Sequence, residues 1–523
     1  PTRSTMTPHS LLPALLIASA GLCFRAAPAA AAATAGGTRY YVACRGDDSA
    51  AGTRSHPFRS INRALAAAHA GDTVFVSDGT YYERIVFPRS GKEGAPIVLA
   101  ACPGEYPAIR YRHLPAKGRT DMILIRGCSH ITVEGLSISS LVTTEPGREV
   151  NGITVEGGAT GITLRRNHIY HIRNEAPRHT YPSAHAILVL GNTAQPVRRV
   201  RVEGNCIHDC VTGTSEAVTV NGYVDGFKIC GNEIYRCSNI AIDAAGGYYA
   251  NPDPARNYAR NGVICRNTIY DIDNGHGQLA GNCGAIAIYA DGSRNITIER
   301  NRIHACDRGI GIVSENDAYP TTGCTVRNNI VTACRRTGIY MGGYLGYTGG
   351  GTEGCAVVNN TLCGNNRVRG AFGEVEGELR LTENCRGNII AYNLVCTADT
   401  SSLFVHKYTA TGSGNRFEGN VYSGPAGWLW QQRDGKPLRG MEAWRTACGG
   451  DSRGTHIADT VFAPVPGLEY DFTPPAAIAP AACALPAALH GHTDFAGRPR
   501  TTNGTITPGA LQPRTPGDAH PGE

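Results

Sequence analysis

The sequence predicts an all-β fold, a right-handed parallel β-helix (solenoid) with an N-terminal capping helix and an irregular C-terminal cap. Two short phrases recur along the chain, and the composition, with 65 Gly, 30 Pro and only 4 Met, is typical of turn-rich β structure. A solenoid also accommodates 523 residues without several domains, because each repeat packs only on its neighbours.

The first phrase is a β-branched run that ends in Asn and an aliphatic residue. It reads ITLRRNHIY up to Tyr170 and ITIERNRIH up to His304. Its irregular spacing fits coils of constant girth whose turns carry loops of different length. Stacked Asn side chains would form hydrogen bonds from coil to coil and satisfy buried backbone groups. The predicted ladder comprises Asn167, Asn205, Asn232, Asn267, Asn301, Asn329, Asn360, Asn393 and Asn420.

The second phrase is a strand of period two that is bounded by Gly or Asn. Examples are NGITVEGG from Asn151, EAVTVNGY from Glu216 and GAIAIYADG from Gly284. Two or three such strands per repeat, with no helix between them, describe one coil of a parallel β-helix. An antiparallel sandwich is the alternative, but it would not require Asn in register.

The cysteines follow the same register. Of 19 cysteines, Cys23 lies in the N-terminal apolar segment, and many of the others recur at matching positions on successive repeats. Neighbouring coils are about 4.8 Å apart, which suits a disulfide. We therefore predict inter-coil disulfides, with buried free thiols as the alternative. The pairs are Cys210 with Cys237, Cys306 with Cys334, Cys230 with Cys265, Cys324 with Cys355, and Cys363 with Cys396.

The predicted divisions of the chain are a signal peptide, two terminal regions and the repeats. The apolar run from Ser10 to Phe24 leads into Ala-rich sequence, the layout of a secretory signal. An amphipathic helix from Ser60 to His69 is expected to cover the first coil. The divisions are 1–34 for the signal, 38–110 for the N-terminal cap and first coils, 111–423 for the repeats and 424–523 for the C-terminal cap.

The expected location is secreted, either extracellular or periplasmic. No segment after the signal reaches the ~18 apolar residues of a membrane helix. The formal net charge of +6 is small and evenly spread, so neither nucleic acid nor a membrane is an expected partner. A capped solenoid needs no second subunit, and a monomer is expected.

Several segments carry a resemblance to a known group. The stretch from Tyr40 to Phe87, EAVTVNGYVDGF from Glu216 and TDFAGRPR from Thr493 resemble the pectate-lyase-like, right-handed β-helix superfamily. The resemblance covers nearly all of the chain after the signal and is specific for the fold. It implies action on a carbohydrate polymer, but the superfamily includes both lyases and glycoside hydrolases, so it leaves the reaction open.

Aligning the second phrase coil by coil stacks its outward-facing residues into two neighbouring columns. A polar and acidic patch with aromatic and basic edges is what a sugar-binding groove needs. One predicted column contains Glu156, Leu190, Asn221, Ala245, Asp291, Glu315 and Gly342, and the other contains Thr154, Leu188, Thr219, Asp243, Tyr289, Val313, Tyr340 and Arg380.

The first functional hypothesis is a glycoside hydrolase that needs no cofactor. Asp291 and Glu315, one coil apart, would hold their carboxyls about 5 Å from each other, near the separation in retaining glycosidases. One would be the nucleophile and the other the acid/base. Solvated turn carboxylates are the simpler alternative, because Asp-Gly and Glu-Asn are ordinary turn sequences.

The second hypothesis is a Ca²⁺-dependent polysaccharide lyase. Asp243, Asp291 and Glu315 would then bind the ion, and Arg380 would be the base. No lysine falls in the columns beside the acids, which ranks hydrolysis above elimination. A non-catalytic glycan-binding scaffold is the third hypothesis. In each case the partner is a polysaccharide or oligosaccharide, bound by Glu216, Asn221, Tyr289, Tyr340 and the loop residue His276.

Overall fold

The computed structural model describes residues 36–111, 113–275, 281, 283–370, 372–432, 435–462 and 470–513. Its strands form three long parallel sheets, and the chain passes through sheets 1, 2 and 3 in turn before it starts the next coil. Sheets 1 and 2 contain 13 strands each and sheet 3 contains 12. The predicted parallel β-helix is confirmed.

Sheet 1 contains the strands Arg39–Val42, Thr73–Val76, Ile97–Ala101, Ile131–Glu134, Thr160–Arg165, Val197–Glu203, Val224–Cys230, Arg260–Cys265, Thr297–Glu299, Thr325–Arg327, Ala356–Val358, Ile389–Ala391 and Arg416–Glu418. Sheet 2 contains Thr80–Tyr81, Ala108–Ile109, Ser137–Thr143, His168–Asn174, Cys206–His208, Glu233–Tyr235, Thr268–Tyr270, Arg302–His304, Ile330–Thr332, Thr361–Cys363, Leu394–Cys396, Val421–Ser423 and Thr455–Ile457. Sheet 3 contains Ile85–Val86, Gly118–Arg126, Arg148–Glu156, Ser183–Gly191, Glu216–Gly222, Ile240–Ala245, Ile286–Asp291, Arg308–Ser314, Ile339–Gly343, Leu379–Leu381, Leu403–Lys407 and Gly427–Trp430.

The remaining elements are short. A small sheet joins Thr321–Thr322, Thr352–Glu353 and Cys385–Arg386, and an antiparallel pair joins Ala481–Ala482 to Thr505–Ile506. The α-helices are Ile61–Ala67, Met441–Cys448 and Ala487–His490, and the 3₁₀ helices are Arg178–Thr180 and Pro254–Arg256. No helix in the described part of the chain is long and apolar enough to cross a bilayer.

The first helix begins where the sequence predicts. The Ser60 side chain accepts a hydrogen bond from the Arg63 amide, which is the usual N-cap arrangement. Ile61, Ala64 and Leu65 are buried and join the main hydrophobic core. The helix packs against the first strands of the solenoid. The predicted signal, 1–34, lies outside the described residues.

The Asn ladder is confirmed in the turn between sheets 1 and 2. Asn232 illustrates the pattern: its backbone amide and its Nδ2 both donate to Oδ1 of Asn267, at 3.0 and 2.9 Å. Nδ2 also donates to the carbonyl of Val202 at 2.9 Å. The residue before each ladder Asn has a positive φ, as at Gly231 and Arg266. This left-handed conformation turns the chain so that the Asn side chain points into the solenoid. Every ladder Asn is at most 1% exposed.

The prediction of inter-coil disulfides is confirmed for one pair. Cys230 and Cys265 are direct neighbours in sheet 1 and are bonded, with a Cα–Cα distance of 4.6 Å. For the other four predicted pairs the prediction is wrong, because all eight cysteines are free and buried. Most of them pack among aliphatic side chains in the core, where a thiol packs as a small hydrophobe.

The C-terminal region adds further strands before it becomes irregular. Trp428, in the last strand of sheet 3, stacks on Trp444 of the helix Met441–Cys448 at 5.8 Å, and both rings are fully buried. Beyond them, residues 481–512 run back along the solenoid over the turns between sheets 1 and 2. There the Arg327 side chain donates to the carbonyl of Ala488 at 2.7 Å.

Candidate active site

The outer face of sheet 3 carries a cavity of about 1080 Å³. Its floor is made of outward-facing side chains of the sheet 3 strands between Ser183–Gly191 and Leu379–Leu381. Loops that follow or precede those strands form its walls and supply Tyr248, Tyr344 and Phe372. Since side chains alternate along a strand, the same strands that fill the core with Ile and Val present polar groups to this cavity.

Strand register decides which acids meet on the floor. Asp243 is paired with Thr219 on one side and Tyr289 on the other, and Asp291 is paired with Ala245, all as the sequence predicts. The next coil differs. Asp291 is paired with Val313, and Tyr289 with Gly311.

The predicted position of Glu315 in the Asp291 column is therefore wrong, as is that of Val313 in the neighbouring column. Glu315 lies two residues beyond Val313, just after the strand Arg308–Ser314 ends. The sequence alone could not distinguish the two registers, because a shift of the strand by two residues leaves the same set of side chains facing outward.

Asp291 and Glu315 nevertheless meet, through a tyrosine. The Glu315 amide donates to Asp291 Oδ1 at 2.8 Å. The Tyr248 hydroxyl lies within hydrogen-bonding distance of Asp291 Oδ2 and 3.0 Å from Glu315 Oε2. Because both carboxyls contact one phenol oxygen, their nearest oxygens lie within about 5.5 Å of each other, which is compatible with the separation of about 5–5.5 Å in retaining glycosidases.

Glu315 is surrounded by further phenols. Tyr289 donates to its Oε1 at 2.8 Å and Tyr344 donates to the same oxygen at 2.6 Å. Tyr347 donates to its backbone carbonyl at 2.7 Å, which fixes the turn. An ionised carboxylate offers acceptor positions only, which suits the two hydroxyls of Tyr289 and Tyr344 that donate to it.

The other acids on the floor are held in less polar surroundings. Burial raises the pKa of Asp291 well above its ordinary value, and the charge of Glu315 raises it further. Burial likewise raises the pKa of Asp243, with smaller contributions from the charges of Glu216, Asp291 and Glu315. Burial also raises the pKa of Glu216 to about 7, with Glu315 acting in the same direction. Each of these three carboxyls therefore keeps its proton to a higher pH than a free carboxyl does.

Glu216 is positioned by a short polar chain. The Thr219 hydroxyl donates to Glu216 Oε2 at 2.8 Å, and His185 Nδ1 lies 2.7 Å from the same hydroxyl oxygen. Because the hydroxyl proton points to Glu216, Nδ1 must be the donor to Thr219. Burial lowers the pKa of His185 to about 4, so the ring is neutral and its tautomer is set by Thr219.

The fit of these acids to calcium can be tested on their spacing. The buried Oδ1 of Asp243 has no hydrogen-bond partner, which is expected of an oxygen that is available to bind a ligand. In the described part of the chain, however, the carboxylate oxygens of Asp243, Asp291 and Glu315 do not all lie within 4.8 Å of one another. Oxygens that share one Ca²⁺ at 2.3–2.6 Å would lie within about 5 Å.

Arg380 is held by carboxylates at the far end of the cavity. Its Nη1 lies 2.8 Å from Glu374 Oε1 and 2.5 Å from Glu376 Oε1. A guanidinium paired with two carboxylates stays charged. This environment does not favour Arg380 as a base.

Of the remaining predicted binding residues, three line the cavity and one lies outside the described residues. Tyr289 and Tyr340 lie on the floor with ring centroids 6.0 Å apart, and a side chain at Gly311 between them would overlap both rings. Asn221 lines the cavity, and its Oδ1 has no partner. His276 lies outside the described residues.

Sequence reasoning missed Tyr248, Tyr344 and Arg308. The two tyrosines lie in loops, where no strand period applies, and the only available signal was the density of Tyr in the segments after the strands. Arg308 opens its strand and is paired with Ile286, outside both predicted columns.

The fold and the polar cavity on sheet 3 define a protein of the pectate-lyase-like class. Residues 40–194 match the model of the Pel9A-like, right handed beta helix region, and residues 254–433 match that of the periplasmic copper-binding protein NosD. The chain is 30% identical over 444 residues to the uncharacterized protein YwoF of Bacillus subtilis (strain 168), an alignment that covers 84% of this chain and 91% of YwoF. The chain belongs to the YwoF family of right-handed parallel β-helix proteins.

Other similarities are shorter or structural. Pectate lyase PEL9 of Emericella nidulans is 42% identical over 77 residues, which are 14% of this chain and 19% of that protein. Among solved structures, pectate lyase Pel9A is 14% identical with a TM-score of 0.38 and covers 72% of this chain and 79% of its own. A GH136 lacto-N-biosidase from Eubacterium ramulus is 13% identical with a TM-score of 0.47, with coverages of 75% and 68%.

Proposed function

We propose that this protein is a carbohydrate-active enzyme that cleaves glycosidic bonds of a polysaccharide by hydrolysis. One observation carries the proposal: Asp291 and Glu315 meet through the Tyr248 hydroxyl on the floor of the cavity. The short match to a pectate lyase supports action on a polysaccharide. Because that match covers so little of either chain, the reaction rests on the cavity itself.

The proton count, the raised pKa of Asp291 and the tyrosine donors around Glu315 together support an assignment of the two roles. The Tyr248 hydroxyl has one proton but two carboxyl neighbours, so it can donate to only one of them. A protonated Asp291 would donate to the phenol oxygen, and Tyr248 would donate to an ionised Glu315. The raised pKa of Asp291 agrees with this arrangement. Asp291 is therefore the acid and Glu315 the nucleophile.

The reaction then follows the retaining pathway. Asp291 gives its proton to the glycosidic oxygen as the bond to the anomeric carbon breaks, while a Glu315 oxygen bonds to that carbon. The resulting Asp291 carboxylate takes a proton from water, whose oxygen displaces Glu315 and restores both groups. Neither step consumes a cofactor.

The cavity walls suit a sugar chain. Tyr248, Tyr344 and Phe372 line the cavity and are 43%, 53% and 74% exposed. Such rings offer apolar faces to sugar rings while a phenol hydroxyl reaches polar partners.

The first experiment is a screen of the purified protein on neutral and acidic polysaccharides, with and without chelator. New reducing ends without ultraviolet absorbance, in chelator, support hydrolysis. Absorbance of unsaturated uronate ends that disappears with chelator would mean a Ca²⁺-dependent lyase. Binding without either product would mean a scaffold.

A nucleophile assay then tests the roles. Azide should restore turnover of an activated aryl glycoside by Glu315→Ala and give an inverted glycosyl azide. With Asp291→Ala, azide should give the retained product. The opposite stereochemistry would exchange the two roles.

We also propose that the protein is exported. The predicted signal in residues 1–34 supports this, as does the match to a family described as periplasmic. N-terminal sequencing of the native protein should begin near Ala30 to Ala35, and an unprocessed N-terminus would contradict export by this route.

A further inference from the structure

The cavity is divided by charge along its length. Its middle carries the carboxyls Glu216, Asp243, Asp291 and Glu315. Its far end carries three arginines, Arg308, Arg336 and Arg380, and two carboxylates, Glu374 and Glu376. Asp243 and Arg380 occupy one column, separated by four coil steps. At the usual strand spacing this is roughly 19 Å.

The arginines converge on one buried carboxylate. Arg308 Nη2, Arg336 Nη2 and Arg380 Nη1 lie 3.1, 2.5 and 2.5 Å from Glu376 Oε1. Burial alone would raise the pKa of Glu376, but the charges of Arg308, Arg380 and Arg336 outweigh it and lower this pKa to about 2.

This cluster retains an excess positive charge. With Glu374 included, three guanidinium groups face two carboxylates, and all five side chains line the cavity. Arg380 is 6% exposed, and its Nε has no hydrogen-bond partner. Arg308 packs over the Tyr340 ring at 4.9 Å and Arg380 over the Tyr408 ring at 4.5 Å, so both guanidinium planes are held in place. A fixed, partly desolvated positive charge beside a cavity is a site for an oxyanion.

The acidic middle imposes the opposite requirement. In the described part of the chain, no lysine lines the cavity. A sugar carboxylate placed over Asp291 and Glu315 would lie beside the Glu315 carboxylate in a partly buried setting, and this like charge is unfavourable without a cation.

We propose that the substrate is a glycan that is neutral where it is cleaved and carries an oxyanion, a carboxylate or a sulfate, several sugars away. The oxyanion binds to Arg308 and Arg380. This inference rests on the proposed function and names the substrate class of the same cavity. A chain with scattered acidic substituents fits, whereas a uniformly charged polyuronate does not.

The test compares matched ligands on the inactive Glu315→Gln protein, in chelator. The probes are a neutral xylo-oligosaccharide, the same chain with one uronate branch, the same chain with one sulfate ester, and a fully charged oligogalacturonate. We expect at least one singly charged probe to bind about tenfold more tightly than the neutral chain, with a Kd that rises with salt. The oligogalacturonate should bind more weakly than that probe.

The variants locate the effect. Arg308→Gln and Arg380→Gln should each remove most of the tenfold difference between the affinities for the singly charged chain and the neutral chain. Arg199→Gln, an exposed arginine on sheet 1 that pairs with Glu93, should change nothing. If Arg380→Gln does not fold, Arg308→Gln decides alone, since Arg336 and Arg380 still hold Glu376 in that variant.

Other outcomes separate this inference from the proposed reaction. Equal affinity for the neutral and singly charged chains, or tightest binding of the oligogalacturonate in chelator, overturns the subsite even if hydrolysis is observed. Arginine-dependent binding without any turnover by the wild-type protein supports the subsite and counts against the hydrolase.

Discussion

At the scale of residues, the site depends on where single protons lie. Tyr248, Asp291 and Glu315 contain two exchangeable protons at neutral pH if Asp291 is protonated. These two protons can supply both hydrogen bonds: Asp291 donates to the Tyr248 oxygen, and the Tyr248 hydroxyl donates to Glu315. With both carboxyls ionised, one of them would lack a donor from Tyr248. This arrangement supports the proposal that Asp291 is the acid and Glu315 the nucleophile.

Removal of either carboxyl should stop catalysis without unfolding the protein. Asp291→Asn and Glu315→Gln should each lower kcat by about 10²–10⁴-fold, because each removes a group that acts only in the transition state. Melting temperatures should stay within a few degrees of wild type, since neither residue belongs to the hydrophobic core. Asp225→Asn, on the outer face of sheet 1, is the matched control. A large loss of melting temperature in Asp291→Asn would instead identify a structural residue.

Asp243 should make stability depend on pH. Its pKa is raised above the ordinary 3.8, so the folded state binds the proton more tightly than the unfolded chain. The resulting stabilisation is complete below pH 3.8 and is lost as the pH rises through the folded value. Asp243→Asn should therefore melt higher than wild type at pH 7–8, with a difference that shrinks toward pH 4. Melting curves across this range check it, and a constant difference would contradict it.

At the scale of elements, the period of the strands explains what could be predicted. The alternation of Ile with polar residues identified the strands and their outward faces correctly, and it placed Asp243 and Asp291 in their columns. It could not place Glu315, because Ile288 can be aligned with Ile310 or with Ile312 without turning any side chain inward. In the structure, Ile288 is paired with Ile310. Loop residues such as Tyr248 have no period and could not be placed at all.

The Asn ladder, by contrast, was predictable because its chemistry is local and repeated. Asn267→Ala should lower the free energy of unfolding by about 1–3 kcal/mol. It removes the acceptor for two donors of Asn232 and the donor to the Ile229 carbonyl, all buried. Asn221→Ala is the control, because its Oδ1 accepts no hydrogen bond. Denaturant titration measures both variants, and equal stability would remove the ladder as a stabilising feature.

At the scale of the whole molecule, contacts between distant coils matter because a solenoid otherwise holds together only through neighbours. The C-terminal segment 481–512 supplies such contacts. Asn328 Nδ2 donates to the His490 carbonyl at 2.9 Å, and the Ala510 amide donates to Thr361 Oγ1 at 2.9 Å. Arg500 is fully buried within this segment. One segment therefore joins several coils on the side of the solenoid away from sheet 3.

Tyr392 is the residue whose substitution we expect to weaken the attachment of this segment to the solenoid. Its hydroxyl is buried, donates to the Ala482 carbonyl and accepts from the Ala484 amide, both at 3.1 Å. Tyr392→Phe removes the partner of the Ala484 amide and leaves the Ala482 carbonyl with the Arg453 guanidinium, at 3.0 Å, as its donor. We therefore expect a loss of about 0.5–1.5 kcal/mol that is concentrated in the C-terminal segment. Hydrogen exchange should accelerate in residues 481–490, while kcat on sheet 3 stays unchanged.

The matched control is Tyr422→Phe, which removes a buried hydroxyl that donates to Asp451 at 2.7 Å inside the solenoid. Its loss should lower global stability without selective exchange in residues 481–490. Equal exchange patterns in the two variants would mean that the C-terminal segment unfolds only with the whole solenoid. Selective exchange in Tyr392→Phe would mean that it opens alone, because its hold on the coils depends on a few buried polar contacts.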